Sequence, residues 1–339
     1  MTRCRNLLTD VPGLRVGSAH DPRLMSGVTV VVPDRPVVAA LDVRGGGPGT
    51  RESDALSLAG SVDVCHAIVL SGGSAFGLSA ASAVQTWLAA NGVGFPVGSA
   101  RVPIVPQAIL FDLLNGGEKP HDLARRYEEL AREACETATQ ELPIGSRGAG
   151  FGATTATFRG GLGSASAEAG GGRIVGALAA VNAVGSATMG ESPHFWAAPF
   201  EVASEFGGHG PLVARPDEAL PIPLKGTRGQ STTLAVVATN ARLDKRQALR
   251  LAVMAQAGLA RALYPVHTPL DGDAVFALAM GDMALDDPYQ DLAILGAMAA
   301  NTLARAIARS VYEAEAAPPG WNGPPAYRTR FGRSFRHAP

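Results

Sequence analysis

The sequence predicts a layered α/β sandwich in which helices pack outside two β-sheets, and three observations carry that expectation. Several runs rich in Val, Ile, Ala and Thr are apolar throughout, so their strands are covered on both faces. Three long segments carry apolar stripes at helical spacing. Strands and helices nevertheless do not alternate in the strict βαβ order of a doubly wound sheet.

In chain order, strands are expected over 28–32, 37–43, 64–70, 152–158, 174–184, 234–239 and 274–278. Leu78, Ala81, Val84, Trp87 and Leu88 form the first helical stripe, and Ala248, Leu251, Ala255, Leu259 and Leu263 the second. Asp244 with Gln247 three residues later is a start signal for the second helix, and Pro265 a stop. A third helix is expected over about 291–315, with Leu292, Leu295, Ala299 and Ile307 on one face. Residues 191–230 hold Pro, Gly and His with little periodicity, and a loop of that length in a compact domain is usually functional or mobile. Residues 1–315 thus read as one domain and 316–339 as a Pro- and Arg-rich tail.

The charge balance excludes some partners. Lys plus Arg number 29 against 30 Asp plus Glu, which gives no field to draw in nucleic acid or an acidic membrane surface. Arg328, Arg330, Arg333 and Arg336 are accordingly expected in a solvated or subunit-docking tail rather than a nucleic-acid patch. The ligand class that remains is a small molecule or peptide. Cys4, Cys65 and Cys135 match neither a disulfide framework nor a zinc pattern, and no metal or cofactor is expected. The N-terminus lacks an apolar signal-peptide core and no run reaches a membrane span, so a cytoplasmic protein is expected.

Four segments bear on chemistry. LSGGSAFGL, residues 70–78, is a strand, a Gly-rich turn and a helix; Gly72, Gly73 and Ser74 aim backbone N–H groups at whatever lies over the turn, without the lysine of a phosphate loop. DVRGGGPGTRESD, residues 42–54, joins flexible backbone to several ionisable groups, as an ordinary loop also does. HTPLDGDAVFAL, residues 267–278, sets Asp271 and Asp273 two apart; if strand geometry reaches back to them they share a face, where they repel and call for a cation, a metal or an ammonium. A plain Asp-Gly turn accounts for the same residues. GTRGQSTTLAVVATN, residues 226–240, puts Thr232 and Thr233 where a loop meets a buried strand. A threonine becomes a strong nucleophile when its own free α-amine is its base, and an internal threonine gains that amine only if the preceding bond is broken. From composition alone, two β-branched residues opening a strand are the favoured reading of the position.

Taken together, these segments with VPIVPQAILFDL, GAGFGATT, GGLGSAS and GALAAVNAVG resemble the L-aminopeptidase/D-amidase-esterase family, which includes β-peptide aminopeptidases and the nylon-oligomer hydrolase. The resemblance covers most of residues 8–312 in order. It implies a four-layer αββα sandwich shared with the ornithine acetyltransferase group, and self-cleavage between Ser231 and Thr232 into fragments 1–231 and 232–339. It implies an amide or peptide hydrolase assembled as a homo-oligomer, often a tetramer of processed units. Carried over residue by residue, Thr232 is the nucleophile, Asn182 helps hold the oxyanion, and Asp271 and Asp273 orient the new amine. Gly72, Gly73, Ser74, Phe111 and Thr157 fall at substrate-facing positions. The chain departs from the nylon-oligomer hydrolase in three places: Ser231 stands for an Asn, Thr157 for a Lys and Phe111 for a Tyr. An acyltransferase of the ornithine acetyltransferase type, or an unprocessed oligomeric binding protein, are the alternatives.

Overall fold

A computed structural model describes residues 4–212, 222–225 and 231–332. The first half of the chain runs β1 (Leu14–Asp21), β2 (Ser26–Pro33), β3 (Val37–Val43), β4 (Thr50–Arg51), β5 (Val64–Cys65), β6 (Ile68–Ser71), α1 (Ala80–Ala90), a short hairpin β7 (Phe95–Val97) and β8 (Ala100–Val102), β9 (Gln107–Ile109) and α2 (Leu123–Glu136). The second half runs β10 (Gly161–Glu168), β11 (Ile174–Asn182), β12 (Thr232–Ala241), α3 (Lys245–Ala262), β13 (Ala274–Met283), α4 (Pro288–Tyr312) and α5 (Tyr327–Phe331). One sheet has the order β1-β2-β6-β9-β4 and the other β10-β11-β12-β13-β3-β5.

The layers follow from strand alternation. On β12, Leu234, Val236 and Ala238 point into a core shared with Ile68 and Leu70 of the opposite sheet, while Ala235 and Val237 point away, onto α3 and α4. Both faces of the strand are buried, which is why the run is apolar without alternating. α3 contributes Leu251, Ala255 and Leu259 to that outer core, and α4 contributes Leu295, Leu303 and Ile307. α1 and α2 cover the other sheet through Val84, Leu88, Tyr127 and Ala131 against Val28, Val30 and Val69. The result is the expected αββα stack.

The capping box at the start of α3 is present: the Asp244 carboxylate accepts from the Gln247 N–H, and the Gln247 side chain returns to Asp244 N–H. α4 is long and apolar enough to cross a membrane, but it lies in the outer layer with its apolar stripe against the sheet.

Two expectations need correction. Residues 152–158 are not a strand but a tight turn closed by a bridge between Thr154 and Arg159; the strand of this region is β10. β10 is built from Gly, Ser and Ala because α4 presses on it: a Cβ at Gly163 would sit 1.9 Å from the Ala306 carbonyl oxygen. Residues 316–332 are not a solvated tail. Tyr327 is buried among Phe158, Phe195 and Tyr312, Arg328 pairs with Glu313 and Arg330 with Glu191, so aromatic burial holds this segment on its own chain. Arg333 and Arg336 lie outside the described residues, as do 213–221 and 226–230 of the aperiodic stretch. The described part of that stretch, 191–212, sends Phe195 and Phe206 into the outer core.

Candidate active site

Thr232 is the first residue of β12, and Asn182, the last of β11, is its cross-strand partner. By alternation Thr232 shares the face of Leu234 and Val236, and Asn182 that of Ala180 and Leu178, so both side chains point into the gap between the sheets. They sit at the edge of an otherwise apolar layer, each almost fully buried.

Polar groups converge on the bond before Thr232. The Ser231 carbonyl oxygen accepts the Thr232 Oγ1 hydroxyl at 2.5 Å and the Gly272 N–H at 3.0 Å. The hydroxyl is therefore beside the carbonyl upstream of it, and that carbonyl is already polarised by a backbone donor. Close approach is possible because residue 272 is glycine: a Cβ there would lie 2.6 Å from Thr232 Oγ1.

Asp271 and Asp273 flank Gly272 and are 1 % exposed. They precede β13 rather than extend it, so they do not share a strand face as the sequence-based geometry anticipated. Asp273 Oδ1 accepts the Thr233 N–H at 2.8 Å, and its Oδ2 accepts the His267 backbone N–H at 3.1 Å and lies 2.9 Å from His267 Nδ1. Asp271 Oδ1 accepts from Val184 N at 3.0 Å, just past β11; its Oδ2 accepts from Thr268 N and Oγ1. One carboxylate thus grips β12 and the other the end of β11. Burial, and then the charge of Asp273, push the Asp271 carboxyl above its usual range. The glycine-rich loop after β3 backs this pair: Arg44 and Gly45 N–H groups reach Asp273 O, and Gly47 N–H reaches Asp271 O at 2.7 Å. A Cβ at Gly45 would meet Asp273 N at 2.3 Å, which gives that glycine cluster its packing role.

Beside Asn182 opens a cavity of about 150 Å³, lined by Phe111, Asp112, Leu114, Thr154, Lys225 and the tail residues Asn322–Pro324, among others. Phe111 supplies its carbonyl to Asn182 Nδ2 at 2.9 Å. Lys225 enters from the aperiodic stretch. Its Nζ donates to Asn182 Oδ1 at 2.8 Å, to Thr154 Oγ1 at 2.9 Å and to Thr154 O at 3.0 Å, with Asn182 O at 3.4 Å. Burial lowers its pKa to about 7, against the opposing pull of Asp271 and Asp112.

The Gly72–Ser74 turn stands behind the cavity wall. Gly73 N–H is taken by Asp112 Oδ1 at 2.8 Å, and Ser26 Oγ donates to Asp112 Oδ2 at 2.5 Å while receiving the Tyr127 hydroxyl. Ser74 N–H goes to Leu110 O and Gly72 N–H to Gly27 O. These donors fix the Phe111–Asp112 segment from behind. Burial raises the Asp112 carboxyl above its usual value, against those hydrogen bonds. Thr157 pairs its hydroxyl with Ser186 Oγ at 2.7 Å, whereas Thr154 of the same turn lines the cavity.

Sequence reasoning missed three participants: the Gly272 N–H, Thr154 and Lys225. For Lys225 a signal was present, since the chain has only three lysines among its 29 basic residues. The other two, Lys119 and Lys245, also spend their ammonium groups on backbone carbonyls.

The four layers, with a hydroxyl residue heading an inner-sheet strand beside a buried acid pair, define a fold of the N-terminal-nucleophile hydrolase kind. The L-aminopeptidase D-Ala-esterase/amidase of Ochrobactrum anthropi, described as a variant of that fold, superposes with a TM-score of 0.69 over 99 % of this chain and 96 % of that one, at 20 % identity. A Burkholderia sp. beta-aminopeptidase superposes at 0.63 over 90 % and 86 %, with 24 % identity. Peptidase family S58 matches residues 6–321, and the chain belongs to that family. It is 39 % identical to an uncharacterized aminopeptidase of Mycobacterium tuberculosis, over 97 % of this chain and 99 % of that one. It is 28 % identical to a 6-aminohexanoate-oligomer endohydrolase of Kocuria sp., over 81 % and 75 %.

Proposed function

We propose that the chain cuts itself between Ser231 and Thr232 and then hydrolyses peptide or linear amide bonds with the freed Thr232. The observation that carries this reading is the Ser231 carbonyl, held by the Thr232 hydroxyl on one side and the Gly272 N–H on the other. Thr232 Oγ adds to that carbonyl carbon, and the developing oxyanion is stabilised by the N–H already bonded to it. The C–N bond breaks, its nitrogen takes up the hydroxyl proton, and the chain is left as an ester. Water hydrolyses the ester to a Ser231 carboxylate and a Thr232 N-terminus. The new α-amine, with an ordinary pKa near ~7.7–8, then serves as the base for its own hydroxyl in turnover. Asp271 and Asp273 hold that amine, and Asn182, the cross-strand partner of Thr232, assists the oxyanion both in self-cleavage and in turnover. The family membership and the aminopeptidase and oligomer-hydrolase relatives support amide hydrolysis as the reaction class.

Intact mass of the purified protein over time tests the first step. Fragments 1–231 and 232–339 are expected, absent from Thr232→Ala. Turnover is tested by release of p-nitroaniline from amino-acid anilides and by cleavage of short amides and aminohexanoate oligomers. A chain that stays whole, or hydrolysis that survives Thr232→Ala, overturns the reading.

A further inference from the structure

We infer that Lys225 is a positioning residue of this site: carried in on the segment just before the scissile bond, its ammonium fixes which end of the Asn182 amide is the donor end. The inference rests on the self-cleaving reading above and adds to it a residue from a different element. A side-chain amide can turn over, exchanging its donor and acceptor ends, unless its neighbours distinguish them. Among the described residues, Asn182 Oδ1 receives the Thr154 N–H at 3.0 Å and the Lys225 Nζ at 2.8 Å. Neither a backbone N–H nor an ammonium can accept, so the Nδ2 end is directed the other way, to the Phe111 carbonyl on the cavity wall. Lys225 is itself fixed, by its backbone N–H on Val184 O at 2.8 Å and by the two oxygens of Thr154.

A neutral amine, unlike an ammonium, can accept a hydrogen bond from Nδ2. Loss of the Lys225 proton therefore removes one of the contacts that tell the two ends apart, beside the Thr154 N–H on Oδ1 and the Phe111 carbonyl on Nδ2. With its pKa lowered to about 7 by burial, Lys225 makes the strength of that hold on the amide depend on pH near neutrality. Among the described residues, the charged groups that act on it are Asp112 from the segment after β9, which has Lys119 beside it, and Asp271 before β13, next to Asp273 and its contact His267.

The test follows self-cleavage by intact mass between pH 5.5 and 9 in the full-length chain. Lys225→Ala is expected to slow cleavage about 10- to 100-fold, the effect of one charged hydrogen bond, and added ethylammonium is expected to restore part of the rate. Lys225→Arg is expected to keep the rate and to lose the limb near pH 7, because its guanidinium does not titrate there. The uncut Thr232→Ala chain gives a second readout independent of cleavage: the Asn182 side-chain amide resonance should titrate near pH 7 and cease to do so when Lys225→Ala is added. A wild type that cuts while Lys225→Ala cuts equally fast at every pH overturns the inference and spares the self-cleaving reading. A wild type that stays whole sinks that reading, and the amide resonance alone then decides: one blind to both pH and substitution overturns the role of Lys225. A well-folded Lys225→Ala that is slow and recovers with neither Arg nor ethylammonium also overturns it.

Discussion

Gly272→Ala puts the geometry around the scissile carbonyl to a direct test. The φ of residue 272 lies outside the positive region that side chains avoid, so space is what opposes alanine there. The added Cβ would lie 2.6 Å from Thr232 Oγ1 and 2.8 Å from Gly47 O, where ordinary contact begins at 3.4 Å. The overlap with Oγ1 is therefore about 0.8 Å, and neither neighbour can yield freely. The hydroxyl is tied to Ser231 O, and the Gly47 carbonyl belongs to the loop that backs the acid pair. Relief comes from displacing the 271–273 segment, which carries the N–H that polarises Ser231 O. Overpacking of this size costs roughly 1–3 kcal/mol of stability, and a misplacement approaching 1 Å at a reacting centre costs on the order of 100-fold in rate. The expected outcome is a folded chain, its urea midpoint modestly lowered, that accumulates fragments about 100-fold more slowly on denaturing gels. Wild-type cleavage in a folded Gly272→Ala protein refutes the assignment of the Gly272 N–H and of the close approach to the reaction.

Other substitutions separate the parts of the site. Thr232→Ser should still cleave and hydrolyse amides, whereas Thr232→Ala should do neither, as intact mass and an anilide assay will report. Asp273→Asn confronts two backbone N–H donors with a group that is itself partly a donor; it should lose about 2–3 kcal/mol in urea unfolding and stop cleaving. Arg159→Met should free the C-terminal segment, because the buried Arg159 guanidinium bonds the Glu315, Ala316 and Phe151 carbonyls and stacks 4.4 Å from the Trp321 ring. Limited proteolysis after residue 315 should then increase, and KM should rise more than kcat falls, since Asn322–Pro324 wall the cavity. Lys225 has its usual value of 10.5 in the unfolded chain and about 7 in the fold, so between these pH values the unfolded state holds the extra proton. Stability of the uncut Thr232→Ala chain should therefore climb as pH rises from 7 towards 10, by at most about 1.4 kcal/mol per pH unit; adding Lys225→Met should flatten that climb in urea titrations.

The inner-sheet strands were legible because burial on both faces leaves an uninterrupted apolar run, as in β12 and β13. α3 was legible because its capping box is a local signal. β10 was not: its apolar character had been given up for glycines that admit α4, so its sequence resembles a loop. α2 escaped notice because Arg and Glu dominate LARRYEELAREACE, although Leu123, Tyr127, Leu130 and Ala134 mark its buried side. Within the site, Thr232, Asn182 and the acid pair came from a resemblance of linked motifs, and the fold brings all of them to the end of β11 and β12. Lys225 could not be placed, because its position depends on where an aperiodic segment crosses the cavity. The Gly272 donor is a backbone group, which residue identity does not announce.

Strand order has a consequence for what a cut at residue 231 can do to the molecule. β12 and β13, which would belong to the shorter piece, lie in the middle of their sheet, between β11 and β3 of the longer one. The two pieces are interleaved, and neither can depart without stripping the other's hydrogen-bonded edges. Scission would add a single water to the mass and leave shape and sedimentation unaltered under native conditions, so that the newborn and the matured protein differ only at the two new chain ends, Ser231 and Thr232.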